Sequence, residues 1–413
     1  MDALQWISKL IAVLFFLCYF YQFLYIPISW RRQKEKPLIS RCNQYAVLIC
    51  ARNEEAVVGD LLDSIKAQTY PGALIHPFVM ADNCTDNTAD IAAAHGAVVY
   101  RRTNHTLVGK GYALEALLDA ISNDHPSGFD GYFVFDADNL LSPDYIERMH
   151  ETFSQGYEIV TSYRNSKNYA ANWISAGYAL WFLRESQYLN RARMKLGTSC
   201  AVSGTGFLFS RGILEEIGGW PFHLLTEDIE FSVHEILRSK KIGYCEKAVF
   251  FDEQPTDFRQ SWRQRTRWSK GYLQVFGKYG ADLFRGIFRG SFSAFDMSMN
   301  IMPAFFLSAA GLITESLILL FSVSQGGAAA AIPSLLRIFG SMYGTLFLLG
   351  AITTATEWSR IHATAGEKLK AVLTFPIFMF TYLPIAIGAI FAKAEWKPIV
   401  HSVRAKDMPG RAA

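Results

Sequence analysis

The sequence has few cysteines, and none of them occurs in a spacing typical of a metal or disulfide site. The six cysteines are scattered without a CxxC or CxxH pattern, which argues against zinc and against a disulfide framework. The nine histidines form no HExxH or other ligand spacing. The net charge is only +3, so the overall balance does not indicate a nucleic-acid partner. Because the cysteines indicate no disulfide framework, we expect the soluble part of the protein to lie in a reduced, cytosolic compartment.

Long apolar runs are present, and 51% of the residues are hydrophobic. Residues 10–28 form an almost unbroken apolar run, long enough to cross a bilayer as one helix. The run is directly followed by four basic residues, Arg31, Arg32, Lys34 and Lys36. Such a flank marks the cytoplasmic side of a span, and no small-residue cleavage site of a signal peptide is present. The sequence therefore predicts an N-terminal transmembrane helix followed by a cytosolic domain.

Three further spans can be drawn towards the other end, at residues 302–323, 332–354 and 371–391. They place a basic loop in the cytosol, as the positive-inside rule prefers. The same three spans would place four tail residues outside, namely Lys393, Lys397, Arg404 and Lys406. Either one segment is re-entrant or the tail breaks the rule. Pro376 and Pro384 make the last segment the weakest candidate.

Between these apolar ends, the pattern alternates short strands with helices. Strands are predicted at residues 45–50, 76–80, 98–101 and 132–135. Helices are predicted at residues 54–67, through His95, and at 111–121. This alternation is typical of an α/β domain whose mostly parallel sheet is covered by helices on both faces. Ligands then bind at the carboxyl ends of the strands.

Polar residues follow three of these predicted strands. Ala51, Arg52, Asn53 and Glu54 follow the first strand, Asp82 and Asn83 the second, and Asp136 and Asp138 the fourth. Neither a GxGxxG motif nor a P-loop motif accounts for this edge. Single Asp and Asn residues at strand ends are also ordinary turn residues. Three such ends together favour a nucleotide site.

The pair Asp136 and Asp138 is a candidate metal site. Alternate residues of an extended chain share a face, so both carboxylates can point at one ligand. Two hard oxygen donors suit Mg²⁺ or Mn²⁺, with water and diphosphate oxygens in the other positions. The alternative is a solvated acidic turn, because Asn139 and Pro143 follow.

Two further clusters come later in the chain. Glu227 and Asp228 follow Thr226, which reads as the N-cap of a helix over residues 229–237. Acidic residues are favoured in a first helical turn in any case, because of the helix dipole. Gln264, Arg267 and Trp268 are spaced to share one helical face. That face suits diphosphate and a sugar ring, although a basic amphipathic helix on anionic lipid is the alternative.

Because these clusters follow one another in this order along the chain, residues 45–268 resemble the GT-A catalytic domain of family 2 glycosyltransferases. They resemble more closely the membrane-integrated processive synthases of cellulose, hyaluronan, chitin and poly-N-acetylglucosamine. The resemblance implies uridine contacts from Ala51, Asn53 and Glu54, a base or ribose contact from Asp82, and a lysine near the nucleotide at Lys110. It also implies a metal-binding DxD motif at Asp136 and Asp138, a general base at Asp228 rather than Glu227, and a QxxRW motif at Gln264, Arg267 and Trp268. The stretch Asp82-Asn83-Cys84-Thr85-Asp86 departs from the commoner DGSxD form.

By the same resemblance, Ser203 to Gly206 and Trp220 would line an acceptor pocket. We expect five segments: an N-terminal transmembrane helix and flank (1–36), a cytosolic GT-A domain (37–270), an interfacial helical segment (271–300), about three transmembrane helices (301–393) and a tail (394–413). The expected function is inverting transfer from a UDP-sugar to a growing β-linked polysaccharide that is translocated across the cell membrane. The alternative is a single transfer to a membrane lipid, and a catalytically silent nucleotide-binding receptor is a third hypothesis.

Overall fold

The computed structural model of the protein describes residues 2–31, 41–325, 328–393 and 401–408. Four of the basic residues named above, Arg32, Lys34, Lys36 and Lys397, lie outside the described residues.

One sheet of eight strands forms the centre of the domain between the apolar ends of the chain, here called the sheet domain. The strands are β1 (Tyr45–Ala51), β2 (Ile75–Asp82), β3 (Val98–Arg102), β4 (Gly131–Asp136), β5 (Leu140–Leu141), β6 (Ile159–Ser166), β7 (Phe207–Ser210) and β8 (Ile242–Asp252). Their order across the sheet is β3-β2-β1-β4-β7-β6-β8-β5. The first four pair in parallel, β7 runs antiparallel to both neighbours, and β6 pairs in parallel with β8. This confirms the predicted α/β class with a mostly parallel sheet.

Helices connect and flank these strands. The described α-helices are α1 (Asp2–Ser29), α2 (Val58–Lys66), α3 (Thr88–Ala94), α4 (Lys110–Asp124), α5 (Tyr145–Phe153), α6 (Trp173–Arg184), α7 (Arg191–Leu196), α8 (Arg211–Ile217), α9 (Glu227–Leu237), α10 (Phe258–Phe288), α11 (Phe292–Ile301), α12 (Pro303–Ser324), α13 (Ala328–Thr356), α14 (Ala365–Phe380) and α15 (Tyr382–Phe391). A π-helical segment, Glu185–Asn190, joins α6 to α7. Short 3₁₀ turns occupy Gly72–Leu74 and Ala405–Asp407.

Strand β1 shows how the sheet is held between helices. Ala46 and Leu48 belong to a core on the face covered by α4, whereas Val47 and Ile49 belong to a second core on the face covered by α2. Side chains of a strand alternate between faces, so a continuous apolar run is what a strand buried on both sides requires. The carboxyl ends of β1, β2 and β4 consequently meet at one edge of the sheet.

Three helical segments among the described residues are long and apolar enough to cross a membrane: Asp2–Ser29, Phe306–Ser324 and Ala365–Phe391. All three overlap predicted spans, at 10–28, 302–323 and 371–391. The predicted interfacial segment at 271–300 is occupied by the second half of α10 and by α11. The 29-residue helix α13 covers the predicted span at 332–354.

The segment formed by α14 and α15 packs against α6 and α10. Phe378 lies so close to Gly177 of α6 that a Cβ atom there would come within 2.3 Å of the Phe378 ring. The two helices are separated by Thr381, whose hydroxyl accepts a hydrogen bond of 2.6 Å from Arg265. Near the far end, Lys270 donates to the carbonyl of Ile390 at 3.1 Å. The segment thus stays in contact with α6 and α10 along its length.

Candidate functional site

A cavity of about 440 Å³ opens at the carboxyl edge of the sheet. The predicted site residues that line it are Ala51, Glu54, Asp82, Lys110, Asp136, Asp138, Glu227, Asp228, Gln264, Arg267 and Trp268. The fold therefore brings together clusters that are far apart in the sequence. Asn53 does not line this cavity.

Asn53 instead supports the neighbouring loop. Its backbone has a φ of +58°, a conformation that Asn tolerates better than most residues. Its side-chain oxygen accepts a hydrogen bond of 2.8 Å from the backbone N–H of Thr85. The adjacent loop thus engages the side-chain oxygen of Asn53, and the uridine contact that the resemblance implies stays a prediction.

Asp82 forms a fixed acidic group at the end of β2. Its side chain is nearly buried and lies 2.5 Å from the Arg102 guanidinium. Asn83, with a φ of +53°, turns the chain away directly after it. This arrangement leaves Asp82 on the cavity wall, where a nucleoside hydroxyl or base N–H could donate to it.

The DxD carboxylates lie on the same wall. Asp136 is paired with the Lys110 ammonium group, and Asp138 accepts a hydrogen bond of 2.8 Å from the backbone N–H of Glu253. Burial disfavours the charge on Asp138, but His401 and Lys167 outweigh it and lower its pKa. Hard, ionised oxygen donors in this position fit Mg²⁺ or Mn²⁺.

No group of three or more His, Cys, Asp or Glu residues with ligand geometry is found in the described part of the chain. A cation held by the DxD pair would therefore need oxygen ligands from a diphosphate and from water. This is the arrangement that the fold-family resemblance implies, and the residues present fit it.

The loop from Ser203 to Gly206 links the donor side of the cavity to the candidate base. The Gly204 carbonyl accepts a hydrogen bond of 2.8 Å from Lys110, and the Gly204 N–H donates to Asp228 at 2.6 Å. Gly204 has a φ of +79°, which a residue without a Cβ adopts at low cost. Thr205 adds a contact to the backbone N–H of Asp136 at 2.8 Å. One short loop thus fixes both functional groups.

Trp220 does not line the cavity with this loop. It is 2% exposed and packs between Phe207, Phe222 and Phe231 in the core. The expectation that Trp220 lines an acceptor pocket is wrong, because its large apolar ring is covered by other aromatic rings instead.

Glu227 and Asp228 occupy the first turn of α9, as predicted. Thr226 stands at the N-cap position, but its hydroxyl makes no capping hydrogen bond. Burial and the adjacent Asp228 carboxylate raise the pKa of Glu227 to about 7, although Lys110 and Arg267 oppose the shift. Burial also raises the pKa of Asp228, against hydrogen bonds from the backbone N–H groups of Ile229 and Gly204. A carboxylate whose pKa is shifted upward is suited to accept a proton near neutral pH.

Helix α10 presents the third cluster. Gln264, Arg267 and Trp268 all line the cavity, which confirms that they share a face. Arg267 donates to the Leu225 carbonyl at 3.2 Å, and Trp268 meets the ring of Tyr178 edge-on at 5.8 Å. Arg265 points to the opposite side of the helix and is fully buried against α14 and α15. Its charge therefore does not contribute to the site as the sequence suggested.

Sequence reasoning missed the contribution of the tail. His401 lines the cavity and lies 3.0 Å from the Glu54 carboxylate. The backbone N–H groups of Ser402 and Val403 donate to Glu253 at 2.9 and 2.8 Å. The only sequence signal in this region was its basic character, which does not identify a contact with a residue almost 350 positions earlier.

The opposite half of the cavity extends between the membrane-facing helices. It is lined mainly by apolar side chains: Phe15 of α1, Met342 and Leu346 of α13, Met379 of α14, and Leu383 and Ala386 of α15. We call these six residues the apolar chamber. The candidate base therefore lies between a polar half, built at the sheet edge, and an apolar half.

Residues 43–271 match the family described as Glycosyltransferase like family 2. The chain belongs to this family. The matched residues include the whole sheet and every predicted site residue, so the family accounts for the polar half of the cavity. Assignment as a hexosyltransferase agrees with the names of its relatives.

Several of these relatives are functionally distinct. The chain is 25% identical to β-monoglucosyldiacylglycerol synthase from Synechocystis sp. over 88% of this chain and 76% of that protein. It is 27% identical to poly-β-1,6-N-acetyl-D-glucosamine synthase from Staphylococcus epidermidis over 55% of this chain and 54% of that protein. The family thus includes enzymes named for a lipid product and enzymes named for a polysaccharide.

Among solved structures, the chain resembles the mannosyltransferase PcManGT from Pyrobaculum calidifontis. The TM-score is 0.64 with 14% identity, covering 95% of this chain and all of that one. PcManGT was solved in complex with GDP-Man and Mn²⁺. At this level of identity the likeness shows the fold, here including the helices outside the sheet domain.

Proposed function

We propose that the protein is an inverting glycosyltransferase that transfers one hexose from a UDP-sugar to a membrane lipid. The observation that carries this proposal is the apolar chamber, which is continuous with the catalytic half of the cavity. A polysaccharide carries hydroxyl groups on every sugar, and burying them without hydrogen-bond partners is costly. An acyl chain suits such a lining. The relative with the broadest coverage quoted above is also named for a lipid product.

The polysaccharide synthase remains the second candidate. It is favoured by Trp268, which lines the cavity beside the base and offers an apolar ring surface to a pyranose. A processive enzyme would need such a platform at every sugar position of its channel. The apolar chamber offers one aromatic ring, that of Phe15, among aliphatic and methionine side chains.

The donor side of the reaction would use the polar half of the cavity. Asp82 accepts a hydrogen bond from the nucleoside, and Arg267 and Lys110 balance the diphosphate charge. A bound Mg²⁺ or Mn²⁺, held by Asp136 and Asp138, would stabilise the negative charge on the leaving UDP. Asp228 accepts the proton of the acceptor hydroxyl. The acceptor oxygen then bonds to the anomeric carbon while the bond between that carbon and the diphosphate oxygen breaks. Because the two bonds lie on opposite faces of the sugar, the anomeric configuration is inverted.

The topology proposed here has α1, α12 and α13 crossing the membrane, with the sheet domain in the cytosol. The end of α13 supports this arrangement, because Glu357 and Thr356 bond to Tyr163 and Tyr188 of the sheet domain. The segment α14–α15 then lies at the interface. This arrangement also places the basic tail on the cytosolic side, in agreement with the positive-inside rule.

The proposed function is tested with purified protein in lipid nanodiscs, a panel of radiolabelled UDP-sugars and a panel of lipids. We expect label in a lipid extract, in a product that carries one added hexose by mass spectrometry. A high-mass, water-soluble polymer would overturn the proposal.

Leu346→Trp should fill the apolar chamber and abolish lipid labelling while UDP binding is retained. Leu348→Trp is the matched control, because Leu348 is 54% exposed on the same helix and does not line the cavity.

A further inference from the structure

Glu185 is a carboxylate in the cavity that the donor chemistry does not use. It begins the π-helical segment Glu185–Asn190, an irregularity that is frequent at functional sites. The residue lines the cavity, and its side chain hydrogen-bonds to Ser203 and interacts with the charges of Arg164 and Asp228. Glu185 therefore lies near the base and bonds to Ser203, on the loop that holds the base.

The surroundings of Glu185 also connect it to the apolar chamber. Its charge acts on Tyr272 of α10 and on Tyr382 of α15, and both tyrosines line the cavity. Tyr382 directly precedes the chamber residue Leu383. Glu185 thus lies where the polar half of the cavity meets the apolar half.

Two of the cations near this junction are already paired. Arg164 donates to Asp252 at 2.8 Å and lies over the Phe182 ring at 3.5 Å, and Lys110 is paired with Asp136 and Gly204. The rest of this lining includes the cation Arg267 and three acidic residues, Glu185, Glu227 and Asp228. A lipid phosphate at this point would meet like charges, whereas an uncharged headgroup would not.

An acceptor with a single hydroxyl would give its only donor to the base. An ionised carboxylate only accepts hydrogen bonds, and its two oxygens offer about four lone-pair sites, so Glu185 can accept from a second hydroxyl on the acceptor as well as from Ser203. Trp268, on the same cavity, suits a sugar ring. A carboxylate and an indole beside an apolar chamber together fit a sugar headgroup attached to acyl chains.

We infer that the acceptor is a neutral glycolipid, and that Glu185 is a specificity-determining residue that accepts a hydrogen bond from a headgroup hydroxyl next to the one that attacks. The inference rests on the proposed lipid acceptor and names its class. The enzyme then lengthens an existing glycolipid headgroup by one sugar. Diacylglycerol has no second hydroxyl for the Glu185 carboxylate, and a polyprenyl phosphate brings negative charge next to the acidic residues of the site.

The test compares three acceptors in nanodiscs with the wild-type protein: monohexosyldiacylglycerol, diacylglycerol and polyprenyl phosphate. We expect kcat/KM to be at least tenfold higher for the glycolipid than for diacylglycerol, with no transfer to the phosphate. Preference for diacylglycerol or for the phosphate would overturn the inference and leave the lipid-acceptor function standing. A polymeric product would overturn both.

Glu185→Gln preserves the size of the side chain but removes its charge. We expect KM for the glycolipid to rise about tenfold, since hydrogen bonds to charged groups are the stronger ones, while kcat changes little. A purely structural role would instead lower the Tm or weaken UDP binding, and either result with an unchanged KM contradicts the inference. Glu246→Gln is the matched control, because Glu246 pairs with Arg191 and does not line the cavity.

Discussion

At the scale of single residues, the backbone carbonyl and N–H of Gly204 couple the donor site to the base. Its carbonyl accepts from Lys110, which pairs with Asp136, and its N–H donates to Asp228. A shift of this loop would therefore move the metal-binding wall and the base together. The hydrogen bond from the Gly204 N–H also occupies one of the two carboxylate oxygens of Asp228.

Asp228→Asn should lower the rate of transfer about 100-fold or more, because the amide cannot accept the acceptor proton. UDP binding should be nearly unchanged, since the amide oxygen can still accept from Gly204. In the wild type, burial raises the pKa of Asp228, so the acidic limb of the kcat profile should lie above the usual pKa range of an aspartate: activity falls as the pH drops and the base becomes protonated. The profile is measured by UDP release between pH 5 and 9.

The neighbouring carboxylate provides the control for this assignment. Glu227→Gln removes a negative charge beside Asp228, so the acidic limb should move to lower pH while activity is retained. Loss of activity in Glu227→Gln together with an active Asp228→Asn would move the role of base to Glu227.

At the scale of elements, a buried ion pair attaches α1 to the rest of the molecule. Asp296 of α11 accepts hydrogen bonds from Arg193 of α7 at 2.6 Å and from Tyr21 and Tyr25 of α1 at 2.6 and 3.1 Å. Asp296 and Arg193 are 1% and 2% exposed. Three helices that are distant in the sequence thus meet at one carboxylate.

Asp296→Asn should leave the Arg193 guanidinium buried without its counter-charge. Breaking a buried pair in this way costs about 3–5 kcal/mol, so the apparent Tm of the detergent-solubilised protein should fall clearly. Asp282→Asn is the control, because Asp282 pairs with Arg285 at an exposed position of α10, where a pair contributes about 0–1 kcal/mol. Equal Tm values for the two variants would show that the buried pair does not anchor α1.

The helices and strands also show how much of the fold and of the candidate site could be predicted from the sequence. Strands β1 to β4 and the DxD edge were predictable, because runs such as Tyr45–Ala51 encode burial locally. Helix α2 begins four residues later than predicted, since the backbone N–H groups of Val57 and Val58 both donate to the Glu54 carbonyl in a tight turn. Glu185 and His401 could not be predicted as cavity residues, because their positions depend on how α6, α10 and the tail pack in three dimensions.

At the scale of the whole molecule, the tail determines which segments can cross the membrane. His401 contacts Glu54, and the backbone N–H of Ala405 donates to Asp60 of α2 at 2.6 Å. Both partners lie in the sheet domain, so the tail and that domain share one side. An even number of crossings must therefore separate α11 from the tail. The proposed topology assigns these crossings to α12 and to α13, whose far end contacts Tyr188, and leaves α14–α15 at the interface.

This topology predicts the labelling of single cysteines by a membrane-impermeant maleimide, in a background where the six native cysteines are replaced. Lys406→Cys, at an exposed position of the tail, should react in inside-out vesicles and stay unlabelled in intact cells. Gln325→Cys, at the exposed end of α12, should show the opposite pattern and serves as the control. Labelling of Lys406→Cys in intact cells would place the tail outside. In that case α14–α15 would have to cross the membrane, and its contacts with α6 and α10 could not all persist in the folded protein.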